Sequence, residues 1–318
     1  MIGFLKTNEI YYKENVQLSE LSGMNVQGLL PIVAYPNSMS QLANLYIEVV
    51  RRNITYDILA GLTNTYLSNG YFRDIVIMTT KVKEKIRENE DRVWVGCGYS
   101  LTKISNEFSR EGIAGYEGFV GIPGTIGAAA INNSGAFNSS MSKVVLGLQL
   151  IKPDGEIVTL SNKDLGYTNR HSVLKGFLDR GVVLAVLLST VEKDDIENIK
   201  SRINKCTKLR RTKIDGKRKS LGSVFVSTTM SEITKKHKFA VTIKKIVNQP
   251  FKLLFHNNRI NTYLDFLFLG RPSLAKHCDS LNRFCWDKET TEDDFLGYID
   301  FMQKKANNAL EIEIEIRK

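Results

Sequence analysis

"GIPGTIGAAAINNSGAF", residues 121–137, places eight Gly or Ala residues in seventeen positions. It carries no charge and only three aliphatic side chains, Ile122, Ile126 and Ile131. A helix has no need of such smallness, and a strand is weakened by it. Gly121, Gly124 and Gly127 recur every third residue. That spacing is not the G-x-G-x-x-G of a dinucleotide-binding turn, and no Lys-Ser/Thr pair follows to make a Walker loop. Two readings stand. A Gly/Thr turn entering a helix cradles phosphate, because free N–H groups and the helix dipole favour an anion there. The alternative is close packing of a helix on a sheet. Asn133 and Gly135 close the stretch with polar contacts and further room.

A second stretch bears on the choice. In "LAGLTNTYLSNGYFRDIVI", residues 59–77, Gly61, Thr63 and Asn64 stand at the end of an expected strand, where the chain can offer backbone amides to a ligand. Two phosphate-sized sites on separate subdomains point to a ligand with a long diphosphate laid between them.

The flanking pattern is α/β in character. "SMSQLANLYIEVVRRN" carries Leu42, Leu45, Tyr46, Val49 and Val50 on one helical stripe behind a Ser able to cap. "TYDILAG" and "DIVIMTT" read as strands around a Gly/Asn-rich turn. "RVWVGCG" reads as a strand and "LTKISNEFSREG" as an amphipathic helix. "VVLGLQLIKPDGEIVTL" is a hairpin turning at Pro153-Asp154-Gly155. "GVVLAVLLST" is a further strand, and "DDIENIKSRINKCTKLRR" a helix with Ile196, Ile199 and Ile203 on one face. Near the C-terminus "TTEDDFLGYIDFMQKKANNAL" is a helix capped at Thr291, three residues before Asp294. It leads into the strand "LEIEIEI". Residues 1–30 show no clear pattern.

The bulk numbers exclude several classes. The 318 residues are 42% hydrophobic and 25% charged, which is ordinary globular composition with length for two or three subdomains. The longest apolar run, "VVLAVLL", falls well short of a membrane span of roughly 18 residues. With no long apolar leader at the N-terminus either, a cytoplasmic protein without membrane association is expected. Cys97, Cys206, Cys278 and Cys285 are scattered, consistent with a reducing compartment. His277, Cys278 and Cys285 match no zinc spacing, so no metal is expected. The net charge is +10. Much of it lies in "KCTKLRRTKIDGKRKS", 205–220, which has eight Lys or Arg and one Asp. Without interleaved aromatics or a recognisable module this run does not read as a nucleic-acid patch. It fits a solvated helix end or an anionic nucleotide ligand.

Together the two Gly-rich stretches resemble the flavin-binding motifs of the UDP-N-acetylenolpyruvoylglucosamine reductase family. The family pattern "GxGSNLL…D-G-aromatic-x-G-x-VI" is answered by "AGLTNTYLSNGYFRDIVI", with Thr63 for Ser and Asn64 kept. Its "GIPGTVGGA…NAGAYG" is answered by "GIPGTIGAAAINNSGAF", with "GIPGT" intact, Asn133, Gly135 and Ala136 in register, and Phe137 for Tyr. The likeness runs over about residues 40–225 and resumes at the C-terminal end.

The resemblance implies an α+β chain: a two-subdomain FAD-binding fold of the vanillyl-alcohol oxidase/p-cresol methylhydroxylase type, followed by a C-terminal α+β substrate domain. The implied division is 1–80 and 81–213 for the FAD-binding subdomains and 214–318 for the substrate domain. It implies FAD as cofactor, NADPH as co-substrate and a UDP-sugar substrate. The implied FAD-binding residues are Gly61, Thr63, Asn64, Gly121, Ile122, Pro123, Gly124, Thr125, Gly127, Asn133, Gly135 and Ala136. The implied reaction is reduction of UDP-N-acetylglucosamine enolpyruvate to UDP-N-acetylmuramate in peptidoglycan precursor synthesis.

Such a reaction needs a proton donor and stabilisers for the developing enolate. The family's donor Ser corresponds to Ser223 in "SLGSVFVST". Its Arg corresponds to Arg170 in "YTNRHS", and its C-terminal Glu to Glu313 in "ALEIEIEIRK". Strict alternation there sets Glu311, Glu313 and Glu315 on one face, and register selects Glu313. The match lapses elsewhere. Val226 and Ser227 replace the Lys and Asn after the donor, and Asn169 replaces the Tyr before Arg170. The third region keeps Lys276, His277 and Asn282 without the family's glycines. The FAD motifs are therefore kept better than the substrate motifs. That leaves a related flavin oxidoreductase acting on another nucleotide sugar, or a flavin-binding homologue without turnover, as alternatives.

Overall fold

The computed structural model describes residues 1–176, 181–213, 218–238 and 258–318. The chain divides into two compact units, one of 1–16, 29–62 and 72–210, the other of 17–28, 63–71 and 211–318.

The first unit carries two sheets. Strands β1 (Tyr11–Gln17), β2 (Leu29–Tyr35) and β3 (Tyr56–Leu59) contribute to one of them. The next strand in sequence, β4 (Thr65–Leu67), belongs to the second unit, and β5 (Ile75–Met78) returns to the first. The sheet order is β1-β2-β5-β3, with β5 parallel to both β2 and β3. All four β5 residues are buried, as an inner parallel strand covered on both faces requires. The helix Met39–Arg51 makes the crossover. Ser38 caps it by accepting from Gln41 N–H at 3.1 Å, and Leu42, Leu45, Tyr46 and Val49 are buried on its inner face.

The other sheet of this unit is antiparallel. It is built from β6 (Lys85–Asn89), β7 (Arg92–Gly96), β10 (Val145–Ile151), β11 (Ile157–Ser161) and β12 (Val182–Ser189), in the order β11-β10-β12-β7-β6. Between β7 and β10 the chain forms a two-stranded hairpin, β8 (Gly135–Ala136) with β9 (Ser139–Ser140). The expected β10–β11 hairpin closes with Ile151 opposite Ile157, and Gly155 in the turn has φ +89°. We propose that these two sheets mark two FAD-binding subdomains meeting near residue 80.

The second unit contains β13 (Lys219–Ser220), β14 (Cys278–Ser280), β15 (Arg283–Trp286) and β16 (Glu315–Arg317). Its small sheet runs β13-β15-β14 beside the helix Glu292–Lys305. Thr291 and Asp294 form the full capping box there. Two expectations are corrected in this unit. The turn expected between β3 and β5 contains β4, which pairs in parallel with the C-terminal strand: Thr65 faces Glu315 and Leu67 faces Arg317. The continuous strand expected over "LEIEIEI" is interrupted by a bend at Ile314, leaving an isolated bridge from Ile312 to Phe225 and the short strand β16. The segment switches partner at the bend, so strict alternation does not survive. Glu311 is exposed, while Glu313 and Glu315 are half-buried.

Among the described residues no helix is long and apolar enough to cross a membrane. All four cysteines are free thiols and buried. Residues 214–217 of the basic run lie outside the described residues, and the helix Ile196–Lys213 contains the part before them.

Candidate active site

What approaches the backbone of residues 121–137 differs from glycine to glycine. At Gly127, in the helix Ile126–Ile131, a Cβ would lie 2.7 Å from Cys97 Cβ, 3.0 Å from Cys97 O and 3.1 Å from Cys97 Cα. The packing reading holds there: helix sits directly on strand end. Burial pushes the neighbouring Cys97 thiol up to about 12, so it behaves as a small apolar group. At Gly135 a Cβ would meet Ser139 O at 2.2 Å, across the β8–β9 hairpin.

Gly121 and Gly124 are different. Both have positive φ, +83° and +122°, in the turn that enters the helix. The turn docks on the start of the helix Leu101–Arg110. Thr102 Oγ1 donates to Ile122 O at 2.9 Å and accepts from Gly121 N–H at 3.2 Å, and Leu101 N–H donates to Gly124 O at 3.1 Å. Thr125 caps the following helix, accepting from Ala128 N–H at 3.5 Å. Ile122 is half-buried and Pro123 exposed at the tip.

The side chain that comes closest to Gly121 is Arg210, near the end of the Ile196–Lys213 helix. Its Nε would sit 3.2 Å from a Cβ at Gly121. Its Nη2 donates to Gly118 O at 3.0 Å, and its guanidinium lies 5.2 Å from the centre of the Phe137 ring. Two turns earlier on the same helix, Arg202 grips the Glu117 carboxylate with Nε at 2.9 Å and Nη2 at 2.7 Å. One helix thus holds the segment leading into the glycine turn through two arginines. Sequence reading missed Arg210, although a signal was there. It continues the buried stripe of Ile199 and Cys206, so a cation falls where an apolar residue is expected.

Asn133 is buried with φ +43°, and both ends of its amide are bonded within the protein. Its Nδ2 donates to Thr168 O at 2.7 Å, and its Oδ1 accepts from Ser142 N–H at 2.9 Å. This ties down the turn that carries Arg170. Thr168 and His171 pair across a two-residue tip, with Arg170 at φ +58°. Ser172 donates to Ile131 O at 2.6 Å, fastening the other side to the end of the glycine-bearing helix. Arg170 is half-buried on this anchored tip. Ala136, half-buried, precedes the hairpin turn at Phe137 and Asn138, both of positive φ.

In the other Gly-rich stretch a non-glycine residue is left-handed, Leu62 with φ +50°, where the family pattern has its second glycine. Gly61, one residue earlier, is exposed. A Leu in this conformation costs about 1–2 kcal/mol, strain of the kind found at ligand clamps.

The second unit brings Asn64, Glu313 and the Ser223 segment together. Asn64 Nδ2 donates to Glu313 O at 3.3 Å and Glu315 N–H donates to Asn64 O at 2.9 Å. Glu313 N–H in turn donates to Val224 O at 2.8 Å, beside Ser223. Thr63, Ser223 and Glu313 are all half-buried. The carboxylate of Glu315 is paired with Arg317 at 2.8 Å. His277 is buried and stacked on Phe284, and its burial lowers its pKa. Among the described residues no group of three or more His, Cys, Asp or Glu could hold a metal ion.

The glycine turn, with its two positive-φ glycines, fits a dinucleotide diphosphate. Arg210 is a neighbouring cation whose charge is partly desolvated, since burial lowers its pKa, and its buried Nε makes no hydrogen bond. An anion beside it would offset that desolvation. Residues 30–161 match the FAD binding domain family, and with the relatives described next this makes the chain a flavoprotein.

Relatives named UDP-N-acetylenolpyruvoylglucosamine reductase are similar to this chain over about two thirds of its length. The protein of Clostridium tetani is 31% identical over 216 residues, covering 67% of this chain and 69% of the relative. That of Lactobacillus helveticus is 30% identical over 227 residues, covering 71% and 74%. The chain belongs to the UDP-N-acetylenolpyruvoylglucosamine reductase family. The crystal structure of the reductase from Thermus caldophilus has the same fold, with a TM-score of 0.66 at 19% identity over 97% of this chain and 100% of that one.

If Glu313 is the active carboxylate, Glu313→Gln will slow oxidation of the reduced flavin by substrate. Glu315→Gln, which removes only a pair with Arg317, will change that rate less than about two-fold, as a partly solvated pair contributes little. Stopped-flow measurement of both variants checks this. The reverse ranking would move the role two residues along the strand.

Proposed function

We propose that the chain catalyses the FAD-dependent, NADPH-driven reduction of UDP-N-acetylglucosamine enolpyruvate to UDP-N-acetylmuramate, in peptidoglycan precursor synthesis. The observation that carries this reading is the tie from Asn64 through Glu313 to the Ser223 segment. It joins Asn64, the main chain of Glu313 and the segment after Ser223 in one framework, which supports reading them as parts of one site. FAD, when bound, supplies the hydride chemistry, with NADPH as its reductant.

The rest is the work of this chain's side chains. Gly124 and Thr125 offer main-chain N–H groups to the diphosphate, Gly121 gives the turn its left-handed entry, and Arg210 is a neighbouring cation. Ile122 and Pro123 line the same turn, and Gly61, Thr63 and Asn64 form the second Gly-rich stretch. Gly127, Asn133, Gly135 and Ala136 act through shape, by packing and by anchoring the Arg170 tip. Ser223 holds the proton at its Oγ and gives it to the substrate carbon next to the one reduced. Arg170 holds the substrate carboxylate and offsets charge that develops as the double bond is lost. A guanidinium does this well because it stays charged and binds a carboxylate in a fork. Glu313 assists by orienting the donor.

A UDP-sugar and NADPH are accordingly the expected small-molecule partners, and the cytoplasm, where both are made, the expected location. The test is steady-state oxidation of NADPH with the enolpyruvyl UDP-sugar and with other nucleotide sugars in parallel. Turnover confined to one of the others would favour the related-oxidoreductase reading, for which the missing glycines around Lys276 and His277 speak.

A further inference from the structure

The segment after Ser223 is not a strand of any sheet, yet its backbone is closely held. Val224 N–H donates to Asn282 O at 3.0 Å, and Val224 O accepts from Glu313 N–H at 2.8 Å. Phe225 N–H donates to Asn282 Oδ1 at 2.8 Å, while Asn282 Nδ2 donates to Phe225 O at 2.7 Å. Val226 N–H donates to Glu311 O at 2.8 Å. One carboxamide therefore serves both main-chain groups of Phe225, as a neighbouring strand would. The 311–313 segment holds the other edge.

Asn282 is itself fixed. It sits with Leu281 in the two-residue turn of the β14–β15 hairpin, where Ser280 faces Arg283. The buried Tyr298 donates its hydroxyl to Leu281 O at 2.8 Å. At the base of the hairpin, Asp279 is buried and paired with Arg218, at the entrance to the strand that leads to Ser223.

We propose that Asn282 is a positioning residue for the proton transfer. It sets where Ser223 stands relative to Glu313, although it touches no substrate. The inference rests on the assignment of Ser223 and Glu313 made above. An amide is required because the site needs a donor and an acceptor side by side. Aspartate keeps the shape and loses the donor, so its carboxylate would face Phe225 O, acceptor against acceptor. Protonation restores the donor.

The test uses the FAD-loaded protein with the two half-reactions measured separately, for Asn282→Asp, Ser223→Ala and the double variant. In Asn282→Asp, flavin reduction by NADPH keeps the wild-type rate and pH dependence. Oxidation by the enolpyruvyl substrate slows roughly ten- to a hundred-fold at pH 8, as expected when a reacting group moves by about 1 Å. It recovers toward the wild-type rate as the pH is lowered toward 5. The double variant is no slower than Ser223→Ala alone, because the two residues act on one step. If Asn282→Asp oxidises normally at pH 8, or slows both half-reactions equally, the positioning role is wrong even where Ser223→Ala behaves as a donor variant. If Ser223→Ala oxidises normally, the donor assignment fails first and takes the proposal with it. Additive losses in the double variant would mean that Asn282 acts elsewhere.

Discussion

Ser223→Ala will leave flavin reduction by NADPH within about two-fold of wild type and slow reoxidation by the enolpyruvyl substrate by about 10²–10⁴-fold, the usual contribution of a positioned general acid. The asymmetry follows from where a proton is needed. Reduction of the cofactor by NADPH draws on no proton from Ser223, whereas saturation of the enolpyruvyl double bond needs one at the neighbouring carbon. The structure makes the variant clean. Ser223 is half-buried, and its neighbours Val224 to Val226 are held through their backbones by Asn282 and the 311–313 segment. Removing one hydroxyl leaves these bonds in place, so melting temperature and FAD content should not change. Rapid mixing of reduced variant with substrate, followed at the flavin band, gives the rate. Equal loss in both half-reactions would reject the donor role.

Gly127→Ala will destabilise the first unit by about 1–3 kcal/mol, the range for an overpacked core position. The added methyl meets three Cys97 atoms at 3.1 Å or less, two of them backbone. Neither partner can yield easily. Cys97 N–H is bonded to Leu184 O in β12 at 2.9 Å, and Gly127 N–H is bonded to Cys97 O at 2.9 Å. The helix will therefore shift as a whole, carrying with it Thr125, its cap, and the Gly124 turn before it. Thermal unfolding should show a lower midpoint, with weaker retention of FAD on dilution. Cys97→Ala in the same background should recover little, because the backbone contacts remain. A melting temperature equal to wild type would mean that Gly127 is kept for some reason other than packing.

Gly127 also shows where the sequence was readable and where it was not. Small residues signal that something comes close, but not whether it is a ligand or the chain itself. Gly127 and Gly135 are crowded by their own chain, while Gly121 is approached by Arg210 from a helix some ninety residues on. Local patterns carried well. The 38–51 helix, the β10–β11 hairpin and the capping box at Thr291 depend on neighbours within a few residues. Long-range pairings did not. Three residues, "TYL", look like part of a turn until β16 arrives to pair with them, and no periodicity extends across such a gap. The bend at Ile314 was hidden for the same reason, since it marks a change of partner rather than a change in sequence character. Asn282 was legible as a kept polar residue, but its hold on Phe225 could be seen only once the hairpin placed it there.

The most direct test of the central claim is anaerobic. Reduce the FAD-loaded protein with NADPH, confirm bleaching at the flavin band, then add UDP-N-acetylglucosamine enolpyruvate and follow recovery. Bleaching, then rapid and complete recovery with formation of UDP-N-acetylmuramate, is the expected result. Bleaching without recovery would contradict the assigned substrate and leave a flavoprotein that hands its electrons to something else.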